Sequence, residues 1–189
     1  NSEKKEGSPK LKKLATINSA PASGHTTDKT LVDGEYTYTI TGPTELSESL
    51  RTTKEVTITI TNGQMASAKI DGKDATIGTD GFVEVPGLKE GTYTVKESFD
   101  EWDIPNVKLV DITGGTAHEI TDDDNYVTMK VVSGESGTDV AAAGMATFTN
   151  NAGVGGVKVR KEVAVNGGSE HAVSRLAGTY TFGLYKGEE

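Results

Sequence analysis

The 189-residue chain contains no cysteine, which excludes disulfides, zinc-thiolate sites and thiol nucleophiles. Any covalent staple must come from other chemistry. Histidine is scarce: His25, His118 and His171 all lie in polar, loop-like stretches, so no Ser-His-Asp triad can be assembled around them. Basic charge is also short. Lys and Arg number 19 against 28 Asp and Glu, a net charge of −9 at pH 7, and no basic run extends beyond Lys10 to Lys13. The electrostatic footprint of a nucleic-acid binder is therefore missing. No apolar stretch approaches the roughly 20 residues of a membrane-spanning helix, and no charged-then-apolar leader opens the sequence. A soluble segment is expected, with any signal or anchor lying outside it.

What the chain does have is Val, Ile and Thr in short alternating runs bounded by Gly, Asn, Asp and Pro, with no sustained 3.6-residue period. This pattern predicts an all-β protein. Strands are expected at residues 11–17, 34–41, 55–61, 66–70, 82–85, 91–97, 107–112, 126–132 and 146–150. Asn62-Gly63, Asp71-Gly72 and Asp80-Gly81 supply tight-turn chemistry for meander-like antiparallel pairing. Residues 19–29, 114–124 and 133–144 read as loops. Residues 1–9 are polar, carry Gly7 and Pro9, and read as a flexible leader, so order is expected from Lys10. Residues 10–151 make one complete domain and residues 152–156, Ala-Gly-Val-Gly-Gly, a short linker. Residues 157–189 then repeat the opening of the first domain. Val157 to Val165, with Lys161, echoes Leu11 to Ile17, and Gly178-Thr179-Tyr180-Thr181-Phe182 echoes Gly34-Glu35-Tyr36-Thr37-Tyr38. That segment is expected to be the first strands of a second, incomplete domain, too short to bury a core alone.

Strand alternation puts i, i+2 and i+4 on one face, and three strands place a polar residue in line with their apolar side chains. Lys13 stands with Leu11, Ala15 and Ile17, Glu97 with Tyr93 and Val95, and Asn150 with Ala146 and Phe148. Lys161 repeats the lysine among Val157, Val159, Val163 and Val165. Singly, each could sit at a strand end with its head in solvent. Their order along the chain is what joins them: lysine on the first strand, glutamate on a later hairpin strand, asparagine on the last strand before the linker, then lysine again.

The segments Pro86-Gly87-Leu88-Lys89-Glu90-Gly91-Thr92-Tyr93-Thr94-Val95-Lys96-Glu97 and Ala146-Thr147-Phe148-Thr149-Asn150-Asn151 resemble the collagen-adhesin B-type domains of Gram-positive surface proteins, most of all the isopeptide-linked domains of major pilins. The resemblance covers Lys10 to Asn151 and restarts at Val157. It implies an immunoglobulin-like antiparallel β-sandwich of the reverse-Ig, prealbumin-like kind. It also implies an autocatalytic isopeptide bond between Lys13 and Asn150, assisted by Glu97, with Lys161 as the corresponding lysine of the second domain. Lys12 is the alternative lysine if the strand register shifts by one. An ammonium cannot attack an amide, but burial disfavours the charged forms of amine and acid alike. No cofactor is needed. The resemblance further implies an extracellular, cell-wall-anchored or pilus location, with neighbouring pilin subunits or tandem domains as partners. These residues contain neither an LPXTG-type sorting signal nor the tyrosine-proline-lysine pilin motif, so shaft subunit and adhesin stalk both stand.

Other constellations lead nowhere. Asp122-Asp123-Asp124-Asn125 lacks the alternation and glycine of a calcium loop, and His118-Glu119 lacks the second histidine of a zincin. No metal is expected. Gly134-Glu135-Ser136-Gly137 is one residue short of a nucleophile elbow, so the chain does not read as an enzyme. The rival reading is a ligand-binding adhesin domain that recognises a host protein or glycan, for which Trp102 is the one evident seed.

Overall fold

The computed structural model describes residues 6–98, 104–121, 124–132, 144–164 and 177–185. Trp102, Asp122, Asp123, residues 133–143 and His171 lie outside the described residues. The protein is all-β. Fourteen strands are described: β1 (Glu6–Gly7), β2 (Lys10–Ile17), β3 (Ala20–Pro21), β4 (Gly34–Gly42), β5 (Thr52–Thr61), β6 (Gln64–Ile70), β7 (Lys73–Ala75), β8 (Val83–Glu84), β9 (Leu88–Lys89), β10 (Gly91–Ser98), β11 (Val107–Gly114), β12 (Ala117–Ile120), β13 (Asn125–Val131) and β14 (Met145–Ala152).

A seven-stranded antiparallel sheet runs β12-β13-β10-β4-β5-β6-β7. A five-stranded sheet runs β11-β14-β2-β3, with β8 also pairing β2, and β1 pairs β9 in a small third sheet. Both large sheets alternate. Tyr36, Tyr38 and Ile40 of β4, Val56, Ile58 and Ile60 of β5, and Tyr93 and Val95 of β10 are buried, as are Leu11 and Ile17 of β2 and Ala146 and Phe148 of β14. They form one core across which the Tyr38 and Phe148 rings meet at 4.8 Å. Tight turns follow the expected dipeptides. Asn62 and Asp71 take left-handed backbone, and each is followed by a glycine that does the same.

Four expectations need correction. Pairing is not wholly antiparallel: β14, the last strand of the unit, returns beside β2 and lies parallel to it, Phe148 opposite Lys13 and Asn150 opposite Ala15. The 114–124 loop contains β12, whose residues are all partly or fully exposed and so lack the apolar alternation that marks a strand. Residues 6–9, expected within a flexible leader, are held in place: Glu6 and Gly7 pair with Lys89 and Leu88, and the Pro9 carbonyl accepts from Val85 N at 2.9 Å. Finally, the chain divides into units at Val154 and Gly155, and residues 157–164 and 177–185 of the second unit form no strand. Their side chains are exposed, and an isolated strand has no ladder to satisfy its backbone.

Gly7 is buried where a Cβ would collide with the Val132 carbonyl oxygen and stand 2.9 Å from Val131 Cγ1. Gly7→Ala should therefore unseat β1 and lower stability by about 1 to 3 kcal/mol. Calorimetry checks this, and an unchanged melting temperature would return residues 6–9 to the status of a passive leader.

Candidate functional site

Three polar side chains sit in the core. Among the described residues Lys13, Glu97 and Asn150 are the buried polar or charged ones, at 1%, 2% and 0% exposure. Lys13 and Asn150 come from parallel neighbours β2 and β14, and Glu97 comes from β10 of the other sheet. In the parallel register Lys13 lies opposite Phe148, so its amine must travel two residues along the strand, about 7 Å, to meet Asn150. A lysine stem covers that distance. Lys12 points the other way, with Nζ 5.3 Å from the centre of the Phe82 ring and donating to the Asp80 carbonyl at 3.3 Å. Alternation thus brings Lys13, and not Lys12, into the buried cluster.

The contacts converge on one oxygen. Glu97 Oε1 accepts from Lys13 Nζ at 3.3 Å and from Asn150 Nδ2 at 2.9 Å, while Lys13 Nζ is in direct contact with Asn150 Oδ1. The amine, the amide and the group between them form a closed triangle. Glu97 thus meets the amide nitrogen of Asn150, not its oxygen. Burial pulls the Lys13 amine down to about 8, with the nearby Glu97 charge and hydrogen bond opposing that shift. Burial foremost, and then the Glu97 charge, push the Tyr36 and Tyr38 hydroxyls up, so both stay protonated.

Around the triangle the backbone is tailored. Asn150 pairs with Leu109 at a bulge between Leu109 and Asp111. On the outer face, Asn151 Oδ1 accepts from Thr16 Oγ1 at 2.7 Å and Ser19 N at 2.8 Å, tying the end of β14 to β2. Asn18 continues the seam, donating to the Val154 carbonyl and accepting from Val154 N, both at 3.0 Å.

Scans of the chain against protein-family models, curated proteins and solved structures return no match. The arrangement therefore speaks through its own chemistry: an amine, a carboxamide and a bridging carboxyl, shut away from water.

Lys161 lies in the second unit, where its Nζ stands 4.9 Å from the centre of the Tyr180 ring, beside an Arg160–Glu162 ion pair of 3.1 Å. No cluster of metal-ligating side chains occurs among the described residues. The aromatic lining of the site, Tyr36, Tyr38 and Phe148, was not among the expected site residues. The repeated Gly-x-Tyr segments, Gly34 to Tyr36 and Gly178 to Tyr180, were the available signal.

Tyr38 is the direct cross-strand partner of Glu97, yet its buried hydroxyl has no hydrogen-bond partner, and neither does Glu97 Oε2. An unpaired buried hydroxyl destabilises by about 1 to 3 kcal/mol. At the equivalent place in the repeat the chain has Phe182. Tyr38→Phe should accordingly melt at the same or a higher temperature than the parent chain; a loss above about 1 kcal/mol would mean that the hydroxyl holds the core together.

Proposed function

We propose that residues 10–151 form an immunoglobulin-like, reverse-Ig sandwich that staples itself with an isopeptide bond between Lys13 and Asn150, and that the chain is a structural subunit or stalk module of a Gram-positive surface pilus or adhesin. The observation that carries this reading is the sharing of Glu97 Oε1 by the attacking and the leaving nitrogen. The segments running from Pro86 to Glu97 and from Ala146 to Asn151 support it from the sequence side. Its setting is extracellular, with tandem domains or neighbouring subunits as partners.

The reaction balances without a cofactor. Lys13 passes a proton to Glu97 Oε1, leaving a neutral amine beside a neutral acid. Nζ then attacks Asn150 Cγ. As the Nζ–Cγ bond forms, Glu97 delivers its proton to Nδ2 and takes the second proton from Nζ; the Cγ–Nδ2 bond breaks, ammonia departs, and Glu97 is left as the neutral acid. Contact between the groups replaces a bimolecular encounter, which favourable cases place at about 7 to 11 kcal/mol. The chain acts only on itself, once, and is no enzyme in the turnover sense.

Intact mass tests the bond. The folded chain should weigh about 17 Da less than its sequence, the mass of one ammonia, and Lys13→Ala or Asn150→Ala should restore the full mass, whereas Lys12→Ala should not. Glu97→Ala should fold and keep the full mass. The bond closes a loop whose ends are 137 residues apart, which in the chain-entropy model stabilises by about 4 to 5 kcal/mol, so the unlinked variants should melt well below the parent. A full-mass parent chain would sink the proposal.

The pH dependence has a definite sign. The working state needs one proton shared between Lys13 and Glu97, an amine to attack and an acid to release ammonia. With the Lys13 amine at about 8, that proton is lost as pH rises through this value, leaving amine and carboxylate but no acid. Chain recovered unfolded and refolded at several pH values should lose its ammonia more slowly above pH 8 than just below it. A rate that climbs steadily with pH would remove Glu97 as the proton carrier.

A further inference from the structure

We infer that Tyr36 is a positioning residue for this condensation: the face of its ring seats the Lys13 amine against the Asn150 amide. The inference rests on the self-stapling reading above and adds a residue to it. Lys13 Nζ lies 4.1 Å from the Tyr36 ring centre, within the range of a cation–π contact. The ring itself is pinned, because the Tyr36 hydroxyl donates to the Val32 carbonyl at 2.8 Å and the side chain is wholly buried. A pinned ring beneath a flexible four-carbon stem limits where the amine can go. The groups recorded against the amine are Glu97 from β10, Asn150 from β14 and Tyr36 from β4. Of these, only Tyr36 is shown with its ring under Nζ without being part of the reaction itself.

A second, independent observation points the same way. In the second unit Lys161 Nζ stands over the Tyr180 ring at 4.9 Å, although residues 157–164 and 177–185 form no strand. Tyr180 occupies the place in Gly178-Thr179-Tyr180 that Tyr36 occupies in Gly34-Glu35-Tyr36. The lysine–tyrosine pair thus recurs without the sheet around it, whereas the Tyr38 position changes to Phe182. A residue present only to fill a core would have no reason to pair with lysine outside one.

The ring has two effects to be separated. It restrains the amine near the reacting carbon, where a displacement of about 1 Å can slow a reaction of this kind about 100-fold. It also favours the ammonium over the amine, partly offsetting the desolvation of Lys13. Loss of the ring should therefore slow condensation and also let the shared proton leave at lower pH. Loss of the hydroxyl alone should do neither.

The test is the rate of ammonia loss, by intact mass, during refolding of full-length chain carrying Tyr36→Phe, Tyr36→Leu or Tyr36→Met, each followed across pH 6 to 10. Phe should react within about threefold of the parent with the same alkaline fall-off, while Leu and Met should react at least about tenfold slower, with the fall-off moved to lower pH. Leu or Met reacting at the parent rate with an unmoved pH profile would overturn the inference. So would Phe behaving like Leu. Parent chain without the mass deficit would instead refute the bond itself, which keeps the two failures apart. If Leu and Met do not fold, the parent protein still decides: the Lys13 ε-methylene protons should be shifted upfield by the ring in its NMR spectrum, and unshifted protons would overturn the inference.

Discussion

The structure turns on a lysine amine held inside an apolar core. Moving an ammonium and a carboxylate out of water costs several kcal/mol each, and their mutual attraction seldom restores the whole amount. As an ion pair, then, Lys13 and Glu97 at 3.3 Å are a poor stabilising device. Hydrophobic residues of similar volume would serve the core better, and the rest of the core is built from just such residues. The arrangement makes sense when the charges do not persist. Transfer of one proton within the pair leaves two neutral groups, and the proposed condensation then converts the amine into an amide that suits an apolar interior.

The pairing of β2 with β14 makes this chemistry accessible. A parallel ladder holds β2 and β14 side by side, so the two reactive groups come from positions 137 residues apart in the sequence yet share one face of one sheet. The third participant must then come from the facing sheet, and β10 supplies it through the same alternation that buries Tyr93 and Val95. The aromatic residues around the site are the packing consequence. Tyr36 and Tyr38 of one sheet and Phe148 of the other exclude water from the amine, and that exclusion is what lowers its pKa. In a chain without cysteine, the proposed condensation is the covalent chemistry open to such a core.

Period-2 alternation made much of this legible beforehand. It put Lys13, Glu97 and Asn150 inward, and it preferred Lys13 to Lys12 because Leu11, Ala15 and Ile17 mark one face. The all-β class followed from the same signal. What alternation cannot reveal is which strand pairs with which. The parallel return of β14 beside β2 is a tertiary choice, fixed by core closure and by seam contacts such as Asn18 with Val154, and no local pattern encodes it. Ala117 to Ile120 escaped notice for the opposite reason. A strand largely exposed on both faces carries no hydrophobic stripe, and its edge pairing with β13 depends on backbone alone. Val157 to Val163 shows the converse error. It alternates well, but alternation without a partner strand is insufficient to make a sheet.

Parallel pairing also decides how the unit would respond to tension, the load that the proposed stalk or shaft role would impose. Because β2 and β14 run in the same direction, the chain enters the five-stranded sheet at one end, near Lys10, and leaves it at the other, near Ala152. A pull on the two ends shears the pair along its length, which loads all its ladder hydrogen bonds together. Lys13 is near the entry and Asn150 near the exit, so a bond between them would carry the load from one strand to the other. Residues 14–149, including the whole seven-stranded sheet, would then lie off the line of force. Antiparallel first and last strands would place both ends together, and the same bond would leave the ladder to open one hydrogen bond at a time. On this geometry the position of the proposed staple follows from the topology, and the burial of Lys13 and Glu97 from the position of that staple.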